Sequence, residues 1–339
     1  MRKKIFTILR VVISLGLIIF LLSFLNLGRI LEITSRIWKD QPAYIPLILV
    51  GGFLFVLLEA FRLRQILRIQ GMNISLLRLV RYCFIGIFFN NFMPTTIGGD
   101  VAKGFYIGRQ SGKKAEPFVA LVVVRLIGGI CLTVVALIAL ILGFHLLPEK
   151  NRITASIMVA LLVIGLTFIL FFLTRRKLAS KFLVILRPFK SKVLRKNVIK
   201  VYRLFHGHQH FPLQISLATM ATFGIELLII AINYMVARGL GYDTVGFRSF
   251  LLLIPLIAVV TLLPSLNGLG VREGAYIYFF GSPEMLGQDG AGALSLIMLV
   301  MLIFLGLAGG VVFAFSGSLA KARPRYPEEE DFDEKDMNI

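Results

Sequence analysis

The chain has 339 residues, of which 57% are apolar and only 16% are charged, against roughly 45–50% and about 25% in an average soluble domain. A mean hydropathy of +0.85 points the same way, and composition excludes a soluble enzyme, a disordered chain and a disulfide scaffold as expectations. Yet the formal net charge is +19, from 37 Lys and Arg against 18 Asp and Glu, so the charges must be gathered in a few places.

A bilayer core about 30 Å thick takes roughly 20 apolar residues of helix. Runs of that kind lie at 5–27, 44–61, 117–143, 153–174, 212–236 and 290–316. The first opens Met-Arg-Lys-Lys and lacks a small-residue cleavage site, so it reads as a retained span rather than a signal peptide. Two further apolar stretches, 82–107 and 250–281, are interrupted by Pro and Gly. Cys83 and Cys131 sit inside apolar runs with no ligand-like spacing, and read as small buried hydrophobes.

Lys and Arg in short loops mark the cytoplasmic side. Four lie within residues 1–10, five in 62–81 and eleven in 175–210, while the loops at 28–43, 144–152 and 237–249 hold three, two and two. If 82–100 crossed completely, Lys103, Arg109, Lys113 and Lys114 would lie outside and every later span would invert. If it enters from the cytoplasm and turns back, all the basic loops fall inside, and 250–281 must do the same from the other face. The expectation is an all-α polytopic membrane protein. It has six full spans, two re-entrant or broken helical segments arranged as an inverted repeat, and both termini cytoplasmic. The membrane domain would cover 1–317, in halves of about 1–143 and 153–316, followed by a charged, disordered tail at 318–339.

The two interrupted segments match. Residues 94–107 read PTTIGGDVAKGFYI and residues 264–277 read PSLNGLGVREGAYI. Pro94 and Pro264, Gly98 and Gly268, Val101 and Val271, Gly104 and Gly274, Tyr106 and Tyr276, and Ile107 and Ile277 coincide. Such pairs of broken helices entering from opposite faces form midplane binding sites in transporters. Irregular backbone survives at membrane depth only where protein or a water-filled cavity satisfies it, and half-helix N-termini can present free N–H groups to an anion. The alternative is a pair of kinked structural helices.

The same residues carry a family likeness. The stretch from Phe61 to Gly129, with Asn91, Pro94, Gly98-Gly99-Asp100, Lys103 and Arg125, resembles the membrane region of the lysylphosphatidylglycerol synthase, flippase-like family. Pro264, Ser265, Gly268 to Gly270, Arg272 and Glu273 resemble its downstream pattern, with Asn267 inside it. The resemblance spans roughly 5–316. It implies a prokaryotic cytoplasmic-membrane protein that moves a lipid or lipid-linked molecule between leaflets. The fused synthases' soluble aminoacyl-transfer domain has no counterpart here, so aminoacyl-lipid synthesis is not expected.

Ionisable residues at depth are functional candidates by default. Arg125 is followed by Gly129, Thr133 and Ala136 on one helical face, favouring close helix approach, although an Arg snorkelling to the cytoplasm would read the same. Glu226 shares a face with Thr219, Thr222 and Asn233, as in a lined cavity, a proton-carrying site, or simple hydrogen bonding to a neighbour helix. Glu59 lies near a span end, within reach of Arg62 or Arg125. Asp100, Lys103, Arg272 and Glu273 can bind an anionic or zwitterionic lipid headgroup, or pair with one another as gates.

His206, His208 and His210 alternate in a basic loop without acidic or Cys neighbours, a weak metal signal. The basic 175–205 segment carries apolar residues at helix-like spacing and can rest on anionic lipid. Sidedness accounts for the Lys and Arg, so no nucleic-acid partner is expected, and neither is a cofactor. No catalytic motif of the soluble enzymes is present. The residues favour a lipid translocator with membrane lipids as partners and a lipid-modifying enzyme as a possible associate. An embedded enzyme or accessory subunit acting on a lipid-linked substrate, with Asp100, Glu226 and Glu273 as its acids, and a non-transporting scaffold remain as alternatives.

Overall fold

A computed structural model describes residues 27–92, 98–144, 149–174, 211–261 and 268–315. Pro94, Pro264, Asn267, the three histidines, most of the 5–27 span, the basic 175–210 segment and the acidic tail lie outside the described residues. Within them the chain is all-α, in ten helices and no strand: α1 (Leu27–Lys39), α2 (Tyr44–Ile69), α3 (Leu76–Phe92), α4 (Gly98–Ser111), α5 (Glu116–Gly143), α6 (Glu149–Thr174), α7 (Pro212–Gly239), α8 (Phe247–Val260), α9 (Val271–Phe280) and α10 (Gly287–Phe315).

Four of these, α2, α5, α7 and α10, are long and apolar enough to span a bilayer. In α10 only 22% of the most apolar window is buried, and Val300, Leu307 and Val311 are exposed. Apolar side chains face outward along the same helices that bury others inward, which is how a helix reads when lipid is its solvent. α6 is also long, with a shorter apolar stretch at Arg152–Phe168. The protein is a polytopic α-helical membrane protein.

Two boundaries differ from expectation. The 28–43 segment, read as a loop, is mostly α1, because Ile30, Ile33 and Ile37 fall at helical spacing and are buried, with the helix laid against α10. The span expected to end at residue 61 runs on to Ile69 as α2. At 1.5 Å per residue those 26 residues extend about 39 Å. Arg62 and Arg64 therefore belong to a helix rather than to a loop.

Each interrupted segment is a pair of helices folded back on itself. Tyr82 of α3 stacks on Tyr106 of α4 with ring centroids 5.4 Å apart, and its hydroxyl donates to Gln110 Oε1 at 2.7 Å. Farther along, Gly86 lies against the Lys103 stem and Gly99 against Asn90. Advancing along α3 means retreating along α4, so the pair is an antiparallel hairpin. In the second segment Phe250 of α8 lies 4.8 Å from Phe280 of α9, and Thr261 meets Gly268. That pair is antiparallel too.

Helix packing repeats under one exchange: α2 for α7, α3 for α8, α4 for α9 and α5 for α10. α3 packs on α2 and α10 as α8 packs on α7 and α5, and α4 packs on α5 as α9 packs on α10. The central pair α2 and α7 exchange with each other. They run antiparallel, since Tyr44 lies beside Gly239, Gly51 beside Ile232 and Leu58 beside Gly224. A two-fold that swaps antiparallel neighbours lies across the helices rather than along them, as an inverted repeat requires.

Small residues set the closest approaches. On α10, a Cβ at Gly309 would collide with the Phe84 carbonyl oxygen, one at Gly306 with the Asn91 amide, and one at Gly310 with the Phe88 ring. Asn91 Nδ2 then donates to Leu302 O at 2.8 Å, joining the first hairpin to the last helix.

Candidate functional site

Near the bend of the first hairpin, four helices enclose a cavity of about 200 Å³, lined by Glu59, Arg62 and Leu63 of α2, Asn90 of α3, Asp100 and Lys103 of α4, and Leu121, Val124 and Arg125 of α5. The sequence brings these together in steps. Gly99 has no Cβ, and one there would meet the Gly86 carbonyl oxygen and the Asn90 side chain. The hairpin arms therefore close, and the Gly99 N–H donates to Asn90 Oδ1 at 2.8 Å. Gly86 leaves the channel along which the Lys103 stem lies, since a Cβ at Gly86 would stand 2.9 Å from its carbons.

The lysine reaches across to α2. Lys103 Nζ donates to Glu59 Oε1 at 2.9 Å and stands 3.0 Å from Asp100 Oδ1. Arg125 Nε donates to the other oxygen of Asp100 at 2.5 Å. Glu59, Lys103, Asp100 and Arg125 form a chain of alternating charge, its first three side chains no more than 15% exposed and Arg125 54% exposed at the outer end. Buried charges persist when paired and hydrogen-bonded in this way. Arg62 lines the same cavity but has no part in the chain, and its Nε is buried without a hydrogen-bond partner among the described residues.

The second hairpin is built differently. Gly268 and Gly270 hold φ of +82° and +79°, a left-handed backbone that only glycine adopts easily. They turn the chain into α9, where Glu273 Oε2 accepts from the Gly270 N–H at 2.6 Å and Glu273 Oε1 accepts from Arg272 at 2.8 Å. Gly98, which aligns with Gly268, is helical instead, and the close approach in the first hairpin comes from its neighbour Gly99, which aligns with Leu269. At each of these two helix starts one N–H is already taken, that of Gly99 by Asn90 and that of Gly270 by Glu273.

Among the expected site residues, Gly98, Gly99, Asp100, Lys103 and Arg125 are gathered at the first hairpin, while Arg272 and Glu273 pair with each other. No ion pair or hydrogen bond joins Asp100 or Lys103 to Arg272 or Glu273 among the described residues. Asn91 serves helix attachment. Thr222 and Asn233 donate to backbone carbonyls of their own helix, and Asn233 Oδ1 accepts from the Tyr276 hydroxyl at 2.6 Å, tying α7 to α9. Half-buried Glu226 faces Arg62, the charge that acts on it. Behind Arg125, Gly129 has nothing within 4 Å, whereas Ala136 is fully buried, so close approach occurs only farther along that face.

Sequence reasoning missed Arg62 and Asn90, and placed Glu59 at the interface beside Arg62 or Arg125 rather than with Lys103. Continuing the α2 helix past residue 61 would have shown Arg62 nearly one turn beyond Glu59. Asn90 carried no such signal.

The model of the lysylphosphatidylglycerol synthase TM region matches residues 7–315. A UPF0104 membrane protein of Pyrococcus horikoshii is 26% identical over 187 residues, which cover 54% of this chain and 55% of that protein. The match thus spans about half the length of that curated relative. No solved structure matches the chain.

Proposed function

The chain belongs to the family of the lysylphosphatidylglycerol synthase TM region, and on that premise we propose that it translocates a lipid or lipid-linked molecule across the cytoplasmic membrane of a prokaryote. The observation that carries this reading is the charged cavity at the bend of the first hairpin, walled by four helices. A headgroup that entered it would exchange water for fixed charges, while the acyl chains stayed against the apolar outer faces. The volume agrees, since pockets that enclose a whole drug-sized ligand run to roughly 300–1,000 Å³ and this one is smaller.

Both hairpins are re-entrant in this reading, the first opening to the cytoplasm and the second to the outside, with both termini cytoplasmic. The two-fold exchange of packing supports alternating access, in which one half rocks against the other about α2 and α7. A lipid-modifying enzyme would supply or consume the substrate on one leaflet. The test is reconstitution into liposomes with labelled lipids followed from one leaflet to the other. Faster exchange than in protein-free liposomes, lost in the Asp100→Ala plus Arg272→Ala double variant, is the expected result. No acceleration for any headgroup, or full activity in that variant, overturns the proposal.

A further inference from the structure

We propose that the acidic run at 328–336 docks, within its own molecule, on a basic rim where the open end of the first hairpin meets the end of α10. Docking and lipid movement are independent, and either can fail without the other. Residues 68–82 and 106–116 hold six cations, Arg68, Arg78, Arg81, Arg109, Lys113 and Lys114, against one acid, Glu116. The fold gathers them. The bond from the Tyr82 hydroxyl to Gln110 sets the start of α3 beside the end of α4. Lys113 Nζ donates to Gln70 O at 2.7 Å, which brings the end of α2 to the same place. Arg68, Arg78, Arg81 and Lys114 are exposed, and the three arginines form no ion pair among the described residues.

The last helix delivers the tail to this rim. Gly306 meets Asn91 and Gly309 meets Phe84, so α10 advances as α3 retreats. Six residues past Gly309, about 9 Å along the axis, α10 reaches Phe315, level with the first turns of α3. Arg81 and Leu77 lie there, about one and two turns before Phe84, and Leu77 is 64% exposed. Residues 316–327 can extend to about 40 Å, against roughly 20–25 Å across the two neighbouring helices α3 and α4. Residues 328–336 then carry seven acids and one Lys, a net charge of −6, with Phe332 among them to lie against Leu77. Exposed ion pairs are individually weak, but a short tether holds its ligand at an effective concentration on the order of millimolar. Sidedness explains why the cations share one face, and the tail brings the counter-charge to that spot. An anion approaching the hairpin from this end would first have to displace the tail.

The experiment treats purified full-length protein in neutral detergent with a carbodiimide, which joins a carboxylate to an amine in contact with it, and maps the products by mass spectrometry. The 328–336 run should link to Lys113 or Lys114. The link should fade between about 0.1 M and about 1 M salt, as the screening length falls from about 10 Å to about 3 Å. Arg78→Gln plus Arg81→Gln, at exposed positions, should cut the yield by roughly twofold to twentyfold, the scale of two surface ion pairs. No such link in the wild type, a result that needs no variant to fold, overturns the proposal. A yield that neither salt nor the double variant changes overturns it as well. Mixing isotopically heavy and light protein separates links within a chain from links between copies, and links only between copies overturn intrachain docking. The link should persist in nanodiscs of phosphatidylcholine and phosphatidylglycerol in equal parts. Its loss there makes the membrane surface the occupant of the rim and overturns the tail.

Discussion

Replacing Lys103 by methionine keeps the length of the side chain and its packing along Gly86 while deleting one charge. The ammonium it removes is 2.9 Å from Glu59 Oε1 and 3.0 Å from Asp100 Oδ1, with side chains 7%, 14% and 15% exposed. Asp100 keeps Arg125, but Glu59 loses its cation. Removing one partner of a buried pair destabilises by about 3–5 kcal/mol, most of it from the charge left behind. With roughly 2 °C of melting temperature per kcal/mol in a chain above 150 residues, Lys103→Met should melt about 6–10 °C below the wild type in detergent, read by fluorescence-detected size exclusion after heating. The second variant decides the cause. Glu59→Gln combined with Lys103→Met removes the stranded carboxylate and should recover more than half of the loss, because replacing both partners of a buried pair is close to neutral. A melting point for Lys103→Met within 2 °C of the wild type, or a double variant no more stable than the single, would refute the electrostatic account of the hairpin bend.

Gly99→Ala should destabilise more than Gly86→Ala, since the new methyl meets a backbone carbonyl in the first case and the movable Lys103 stem in the second; melting temperatures of the two variants rank them. Tyr276→Phe should destabilise by about 1–3 kcal/mol by leaving the buried Asn233 carbonyl without its donor, and Asn233→Leu in the same protein should recover part of this. Exposed positions on either side of the proposed hairpins report topology. In Lys114→Cys and Asp243→Cys, an impermeant maleimide applied to intact cells should label the second and not the first, with low background because Cys83 and Cys131 are buried. Labelling of both from outside would refute the re-entrant first hairpin.

The long apolar runs were legible because membrane spans are read from composition alone, and four of the expected spans are present as α2, α5, α7 and α10. The hairpins were legible from Pro, Gly and charge sidedness acting together. Asp100, Lys103 and Arg125 followed from charge at depth. What stayed hidden depended on helix phase beyond a span's apolar part. Arg62 looked like a marker of the cytoplasmic face because hydropathy stops at residue 61, although the helix does not. Around Glu226, the use of the polar neighbours was not legible from spacing: Thr222 and Asn233 spend their donors on their own helix. The glycine motifs matched in sequence but not in use, because Gly268 holds a turn where the aligned Gly98 is helical.

The close seating of the first hairpin on α10 decides which parts of the molecule can slide. Advancing α3 along α10 by a single residue, about 1.5 Å, would bring a side chain against a backbone oxygen where Gly309 now meets Phe84, and would break the Asn91 bond to Leu302. Those two helices have no sliding freedom relative to each other and behave as one rigid rod. α4 meets α2 through the ion pair of Lys103 with Glu59, which can be remade after a small displacement because opposite charges tolerate a change of partner that interlocked methyl groups do not. The cavity thus has one fixed wall and one adjustable wall, and the lysine that spans it is the fastener between them.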